Sequence, residues 1–148
     1  MSSTYLSLHY HLFFSTQDRV PMISDDWRDR LHEYLGGTIN QLGGFSQKVG
    51  GVADHVHLLV GLKATHTLAD VMRELKKSSS QWVHQEIRQK SFAWQEGHAA
   101  FTVSPTGRES VRAYIAHQAE HHRQRGYRDE LIDMLHQAGV DYAPRYLD

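Results

Sequence analysis

Apolar and polar residues alternate along two stretches of the chain, and each alternation predicts a strand. Over Tyr5–Phe14, residues Leu6, Leu8, Tyr10 and Leu12 share one face and His9, His11 and Phe13 the other. Phe45–Val52 reads as a second strand, with Gly50 and Gly51 predicting a bulge or bend near its end. Asp54–Leu62 is the third: Val56, Leu58, Val60 and Leu62 form an apolar row, which leaves His55 and His57 side by side on the opposite face. Helical spacing takes over elsewhere. Ser24 caps a helix over Asp25–Leu42 with Trp27, Leu31, Tyr34, Leu35 and Leu42 as its stripe, and Gly43-Gly44 ends it. Thr67-x-x-Asp70 opens a second helix to about Gln89, carrying Leu68, Val71, Met72, Leu75, Trp82, Val83 and Ile87. Phe92–Trp94 and Phe101–Ser104 are short strand-like pieces. Thr106-x-x-Glu109 opens a helix to about Arg125, and a last helix over Arg128–Ala138 is closed by Gly139. Tyr142 and Tyr146 in the short tail are expected to dock on the body or on a partner.

The order β-α-β-β-α-β-α-α predicts an α+β fold. It is ferredoxin-like (RRM-like), with one antiparallel sheet, helices packed on one face, and C-terminal helices carrying Tyr114. A chain of 148 residues fits one domain, 1–148. With no cysteine, disulfides and thiolate zinc sites are excluded. No apolar run approaches the roughly 20 residues that span a bilayer. The start Met1-Ser2-Ser3-Thr4 is neither basic nor apolar, so no export signal, no membrane and a cytoplasmic location are expected. The net charge of −1 supplies no bulk attraction for phosphate. Basic residues nevertheless cluster at Arg73, Lys76 and Lys77, and again at Arg108, Arg112, Arg123, Arg125 and Arg128. Such clusters suit a short DNA site or an ordinary solvated helix face.

Two imidazoles on one strand face can grip one divalent metal, or else form a hydrogen-bonded pair. Two ligands hold an ion weakly. Gln118 could add a carbonyl oxygen, and oxygen ligands suit Mg²⁺ or Mn²⁺. Tyr114 lies four residues before Gln118 on the same helical face. A phenol is about 3 pH units from ionising at neutral pH, a deficit of about 4 kcal/mol. Placement beside a metal-bound phosphate offsets part of that deficit. The parts together suit attack on a phosphodiester, although each residue alone has a plainer structural reading.

These blocks resemble the single-tyrosine HUH transposases of the insertion sequence 200/605 group, including the relatives associated with repetitive extragenic palindromes. The resemblance runs through His11-Leu12-Phe13-Phe14 and Arg19, then Gly51-Val52-Ala53-Asp54-His55-Val56-His57-Leu58-Leu59 and Lys76. It continues through Phe92-Ala93-Trp94-Gln95-Glu96-Gly97, Phe101-Thr102-Val103-Ser104 and Tyr114-Ile115-x-x-Gln118-x-x-His121-His122. It implies that His55, His57 and Gln118 hold Mg²⁺ or Mn²⁺ and that Tyr114 attacks single-stranded DNA, leaving a 5′-phosphotyrosine and a free 3′-hydroxyl. It also implies a homodimer, with the tyrosine helix able to act in trans, and recognition of DNA hairpin ends. The group often has Tyr in place of His98 and Asn in place of His117.

Asp54 could orient a ligand imidazole or simply form a turn. His121 shares a face with Tyr114 and could meet DNA or the metal, or serve structurally. Arg112 and Lys76 are candidate DNA contacts. The alternative to a transposase is a relative that binds DNA hairpins without transposing, against which the intact His55, His57, Tyr114 and Gln118 argue. A hydrolase using a metal-bound water is a third reading.

Overall fold

The computed structural model describes residues 3–121 and 126–147, without the side chains of His121 and Tyr146. Four antiparallel strands, β1 (His9–Ser15), β2 (Phe45–Gly51), β3 (His55–Gly61) and β4 (Ala99–Thr102), form one sheet in the order β2-β3-β1-β4. Helices α1 (Asp25–Gln41) and α2 (Leu68–Trp82) cover one face. This is the ferredoxin-like α+β arrangement that the alternation predicts. Three shorter helices, α3 (Arg108–Ala116), α4 (Gln118–His121) and α5 (Tyr127–Ala138), complete the order. Among the described residues no helix is long and apolar enough to cross a membrane.

The main core lies where strand alternation meets helical stripes. Leu12, Phe14, Val56, Leu58 and Val60 from the sheet meet Trp27, Leu31, Leu35 and Ile39 of α1 and Val71, Met72 and Leu75 of α2. Burying a side chain such as Leu58 completely contributes about 2 kcal/mol. Ser24 caps α1 by accepting the Asp26 N–H, and Thr67 caps α2 by accepting that of Asp70. The opposite face of the sheet is partly apolar too. Phe13 packs with Tyr127, Leu131 and Leu135 of α5 and with Leu147, while Leu59 packs with Val103 and Ile115. Tyr142 docks on this layer, its hydroxyl 3.0 Å from His136 Nε2. The expectation for Tyr146 lies outside the described residues.

Several boundaries differ from the predicted ones, each for a local reason. β1 starts at His9 because its register ends there, at His9↔Gly61 with β3 and Tyr10↔Thr102 with β4. Upstream, Tyr5 and Leu6 are exposed. The second helix becomes a π-turn at Val83–Ile87 and ends where Arg88 adopts a left-handed φ of 67°. Phe92 and Trp94 do not form a strand. They turn inward as a buried edge-to-face pair, 4.9 Å between centroids, and Trp94 bridges to Thr16. The expected Thr106 cap yields to Gly107, whose N–H bonds Ser104. Where one helix to about Arg125 is predicted, the described residues show α3 and α4 broken at His117.

The predicted bulge at Gly50-Gly51 falls instead between Ser46 and Lys48. Gly50 has a different task. It pairs with His57 across the β2–β3 ladder, and a Cβ built on it would stand 2.5 Å from the Ile115 carbonyl oxygen of α3. Only hydrogen at this position lets the helix bearing Tyr114 lie against the sheet. Gly50→Ala is therefore expected to lose about 2 kcal/mol of unfolding free energy by overpacking. Gly37→Ala, in the middle of α1 with nothing within 4 Å, is expected to gain up to about 1 kcal/mol. Urea unfolding of both variants beside the parent chain measures the contrast.

Candidate metal centre and tyrosine

Strand alternation places three imidazoles on the face turned away from α1 and α2. His55 and His57 come from β3 and His11 from β1, and all three are buried. Phe13, paired with His57 across the ladder, stacks on its ring with centroids 4.1 Å apart and planes at 14°. This contact fixes the plane of the His57 ring before any ligand is present.

Each β3 histidine is held by its Nδ1 and presents its Nε2 to a common space. Asp54 Oδ1 lies 2.7 Å from His55 Nδ1. A carboxylate only accepts, so this nitrogen carries the proton. His57 Nδ1 lies 2.7 Å from His11 Nε2. For His57 to offer Nε2 as a lone pair, Nδ1 must donate to His11. On the open side, His55 Nε2 faces Gln118 Oε1 at 3.1 Å, and His57 Nε2 faces Glu130 Oε1 at 2.7 Å. Glu130 Oε1 is 3.7 Å from His55 Nε2. Burial pushes His11 down to about 4 and His57 down to about 3, the latter against the opposing hydrogen bond that Glu130 accepts from it.

Tyr114 and Gln118 reach this space from the broken helix. At His117 the backbone leaves helical geometry (φ −107°, ψ 27°), and the ring Nδ1 bonds the Ala113 carbonyl. Just past the break, Gln118 is buried, 2% exposed. Tyr114, half-buried, sets its ring 5.6 Å from that of His57 and 6.2 Å from that of His11. One chain thus brings together His55, His57, Gln118 and Tyr114, with Asp54 behind His55.

The donor set fits a divalent cation. Ligand atoms of His55, His57 and Glu130 lie within 4.8 Å of one another, and Gln118 Oε1 adds an oxygen beside them. Glu130 and His11 are not among the residues the sequence reading selects. A signal for Glu130 exists: it interrupts the buried stripe Tyr127, Leu131, Leu135 of α5 at the i+3 position, where a buried carboxylate needs a partner. His11 was marked by its strand face and by its place in the first resemblance block, neither of which singles it out as a partner of His57.

The remaining candidates are placed elsewhere. Lys76 is not at the histidines. Its ammonium donates to the carbonyls of Gln95, Glu96 and Gly97 at 3.1, 3.0 and 2.7 Å, lies 5.6 Å over the Phe14 ring, and is pushed down to about 8 by burial. Arg112 is exposed on α3. The side chain of His121, like Arg123 and Arg125, lies outside the described residues. A second tyrosine borders the pair: Tyr127, buried, with its ring 5.3 Å from His55 and its hydroxyl donating to Gln95 Oε1 at 2.9 Å. Burial raises it to about 12.

An antiparallel ferredoxin-like sheet carries, near a tyrosine, a buried His-Glu-His cluster whose ligand atoms could hold a cation. The chain belongs to the family described as "Transposase IS200 like", whose sequence model matches residues 4–118. Among solved structures it is similar to a protein of Deinococcus radiodurans R1 classed as a transposase. The two are 25% identical, with 80% of this chain and 95% of that one covered and a TM-score of 0.64. A REP-associated tyrosine transposase bound to a REP hairpin shares the fold at 12% identity, with 79% and 70% covered and a TM-score of 0.57. No curated protein sequence matches the chain.

The depressed histidines make stability depend on pH. The unfolded chain binds protons at the ordinary histidine value of 6.5, whereas folded His57 and His11 resist to about 3 and about 4. Their contribution is complete above 6.5 and is lost as pH falls through the window toward those folded values. At pH 5 each imidazole is expected to remove about 2 kcal/mol. Urea midpoints at pH 7 and pH 5, both in chelator, check this: the lower pH should give the lower midpoint.

Proposed function

We propose that this transposase-family chain cleaves and rejoins single-stranded DNA, with Tyr114 as the nucleophile. The observation that carries the reading is the Tyr114 ring lying 5.6 Å from a buried imidazole pair whose Nε2 atoms converge with Gln118 and Glu130. His55, His57 and Gln118 would hold Mg²⁺ or Mn²⁺. A divalent ion there polarises a phosphoryl oxygen and orients the scissile phosphate.

The chain's own residues do the rest. Asp54 and His11 fix the two imidazoles from behind, and Phe13 clamps the His57 ring. The Tyr114 oxygen attacks phosphorus and gives a 5′-phosphotyrosine. The phosphorus–oxygen bond to the 3′ side breaks, and the proton lost by the phenol passes to the departing 3′-oxygen. A 3′-hydroxyl later reverses the exchange, so the bond energy is conserved and no nucleotide triphosphate is consumed. Tyr127 is the poorer nucleophile. It is buried, its proton is given to Gln95, and its rise from 10.0 to about 12 makes its phenolate about a hundredfold scarcer than an ordinary phenol's.

DNA with hairpin ends is the proposed substrate, in keeping with the hairpin bound by the REP-associated neighbour. Stacking of unpaired bases and backbone contacts would select it. A homodimer supplies two tyrosines for two strand cleavages.

The test is incubation with single-stranded oligonucleotides carrying the flanking ends of the genomic element plus Mg²⁺ or Mn²⁺, read on a denaturing protein gel. A shifted covalent band is expected that needs metal, survives in Tyr127→Phe and vanishes in Tyr114→Phe. A band that persists in Tyr114→Phe, or hairpin binding with no band under either metal, overturns the reading.

A further inference from the structure

We infer that Glu130, carried by α5 beyond the family-matched residues 4–118, is a protein ligand to the ion, making the site a two-imidazole, one-carboxylate, one-amide set closed within one chain. The inference rests on the metal-dependent reading above and deepens it.

The geometry of proton donors and acceptors carries it. His55 Nδ1 gives its proton to Asp54, so in the neutral ring Nε2 is a lone pair. That lone pair points at Gln118 Oε1, 3.1 Å away, and lies 3.7 Å from Glu130 Oε1. The Gln118 amide is oriented by its Nε2 donating to the Tyr114 carbonyl at 3.4 Å, which leaves the oxygen facing His55. His57 Nε2 lies 2.7 Å from Glu130 Oε1, a contact held by a proton on that nitrogen until a cation displaces it, so ligand atoms of both imidazoles, Gln118 and Glu130 meet in one small volume. A carboxylate 5% exposed on an apolar helix stripe calls for compensating charge. Two neutral imidazoles and an amide would leave a dication at +2 in this buried space, and Glu130 halves it.

The donor set has a consequence for the metal. Mg²⁺ demands oxygen ligands in near-ideal octahedral geometry and keeps its waters, whereas two imidazoles and one carboxylate suit Mn²⁺ and later transition ions. The tyrosine helix and α5 approach the His pair separately, so loss of Glu130 should loosen the ion without moving Tyr114.

Mn²⁺ uptake by the full chain, followed through the electron paramagnetic resonance signal of the free ion and with no DNA present, tests this. The parent chain is expected to bind one Mn²⁺, displaced by Mg²⁺ only in large excess. Glu130→Gln, which keeps the shape and removes the charge, should bind at least tenfold more weakly. Glu130→Asp, which keeps the charge and withdraws it by one methylene, should fall between. Gln118→Glu added to Glu130→Gln should recover most of the affinity. Thermal melts by circular dichroism establish that each variant is folded. Uptake as tight in Glu130→Gln and Glu130→Asp as in the parent, but lost in His55→Ala, overturns the inference and leaves the metal-dependent reading standing. No uptake by the parent chain overturns both.

Discussion

The structure depends on one constraint: ring nitrogens and carboxylate oxygens buried between a sheet and its C-terminal helices must all be answered by polar partners. Strand pairing meets part of it. The β1–β3 register sets Phe13 opposite His57 and Ser15 opposite His55, which puts His11 within 2.7 Å of His57. A slip of one residue in either strand would turn the imidazoles into the main core and the core leucines onto the cluster. Apolar packing on one face therefore holds the polar geometry on the other.

The helices on that second face are less regular than those on the first, and the irregularity is what builds the site. Helical geometry breaks at His117, and on either side of the break Gln118 lies beside His55 and Tyr114 keeps its ring at His57. Gly50 contributes by having no side chain, which allows α3 to touch the sheet. α5 then covers the remaining space with an apolar stripe and a single carboxylate, Glu130, aimed at the histidines.

A further chain of contacts ties the two faces together around the sheet. Lys76 of α2 holds the backbone of residues 95–97, and Gln95 from that loop accepts from the Ser15 N–H at 2.6 Å and from the Tyr127 hydroxyl. Lys76, suspected of touching DNA, thus acts on the loop that anchors the start of α5. Its partly buried ammonium is solvated by carbonyl dipoles, with Glu96 as the nearby charge.

The strands, the two long helices and the face on which His55 and His57 stand follow from periods of 2 and 3.6 in the sequence alone, because burial against one core enforces those periods. Tyr114 and Gln118 were legible as a pair by their spacing. What the local pattern could not carry is anything requiring a partner distant in sequence. His11 meets His57 across 46 residues and Glu130 meets it across 73, and neither separation leaves a periodic trace. The helix break at His117 escaped for a related reason. Helical propensity favours continuing through it, while the buried Gln118 and the His117 ring on Ala113 belong to the assembled fold. The sequence by itself determined which residues share a face. Only the tertiary structure decided which of them share a site, because convergence of lone pairs on one point is a property of chain crossings and not of chain order.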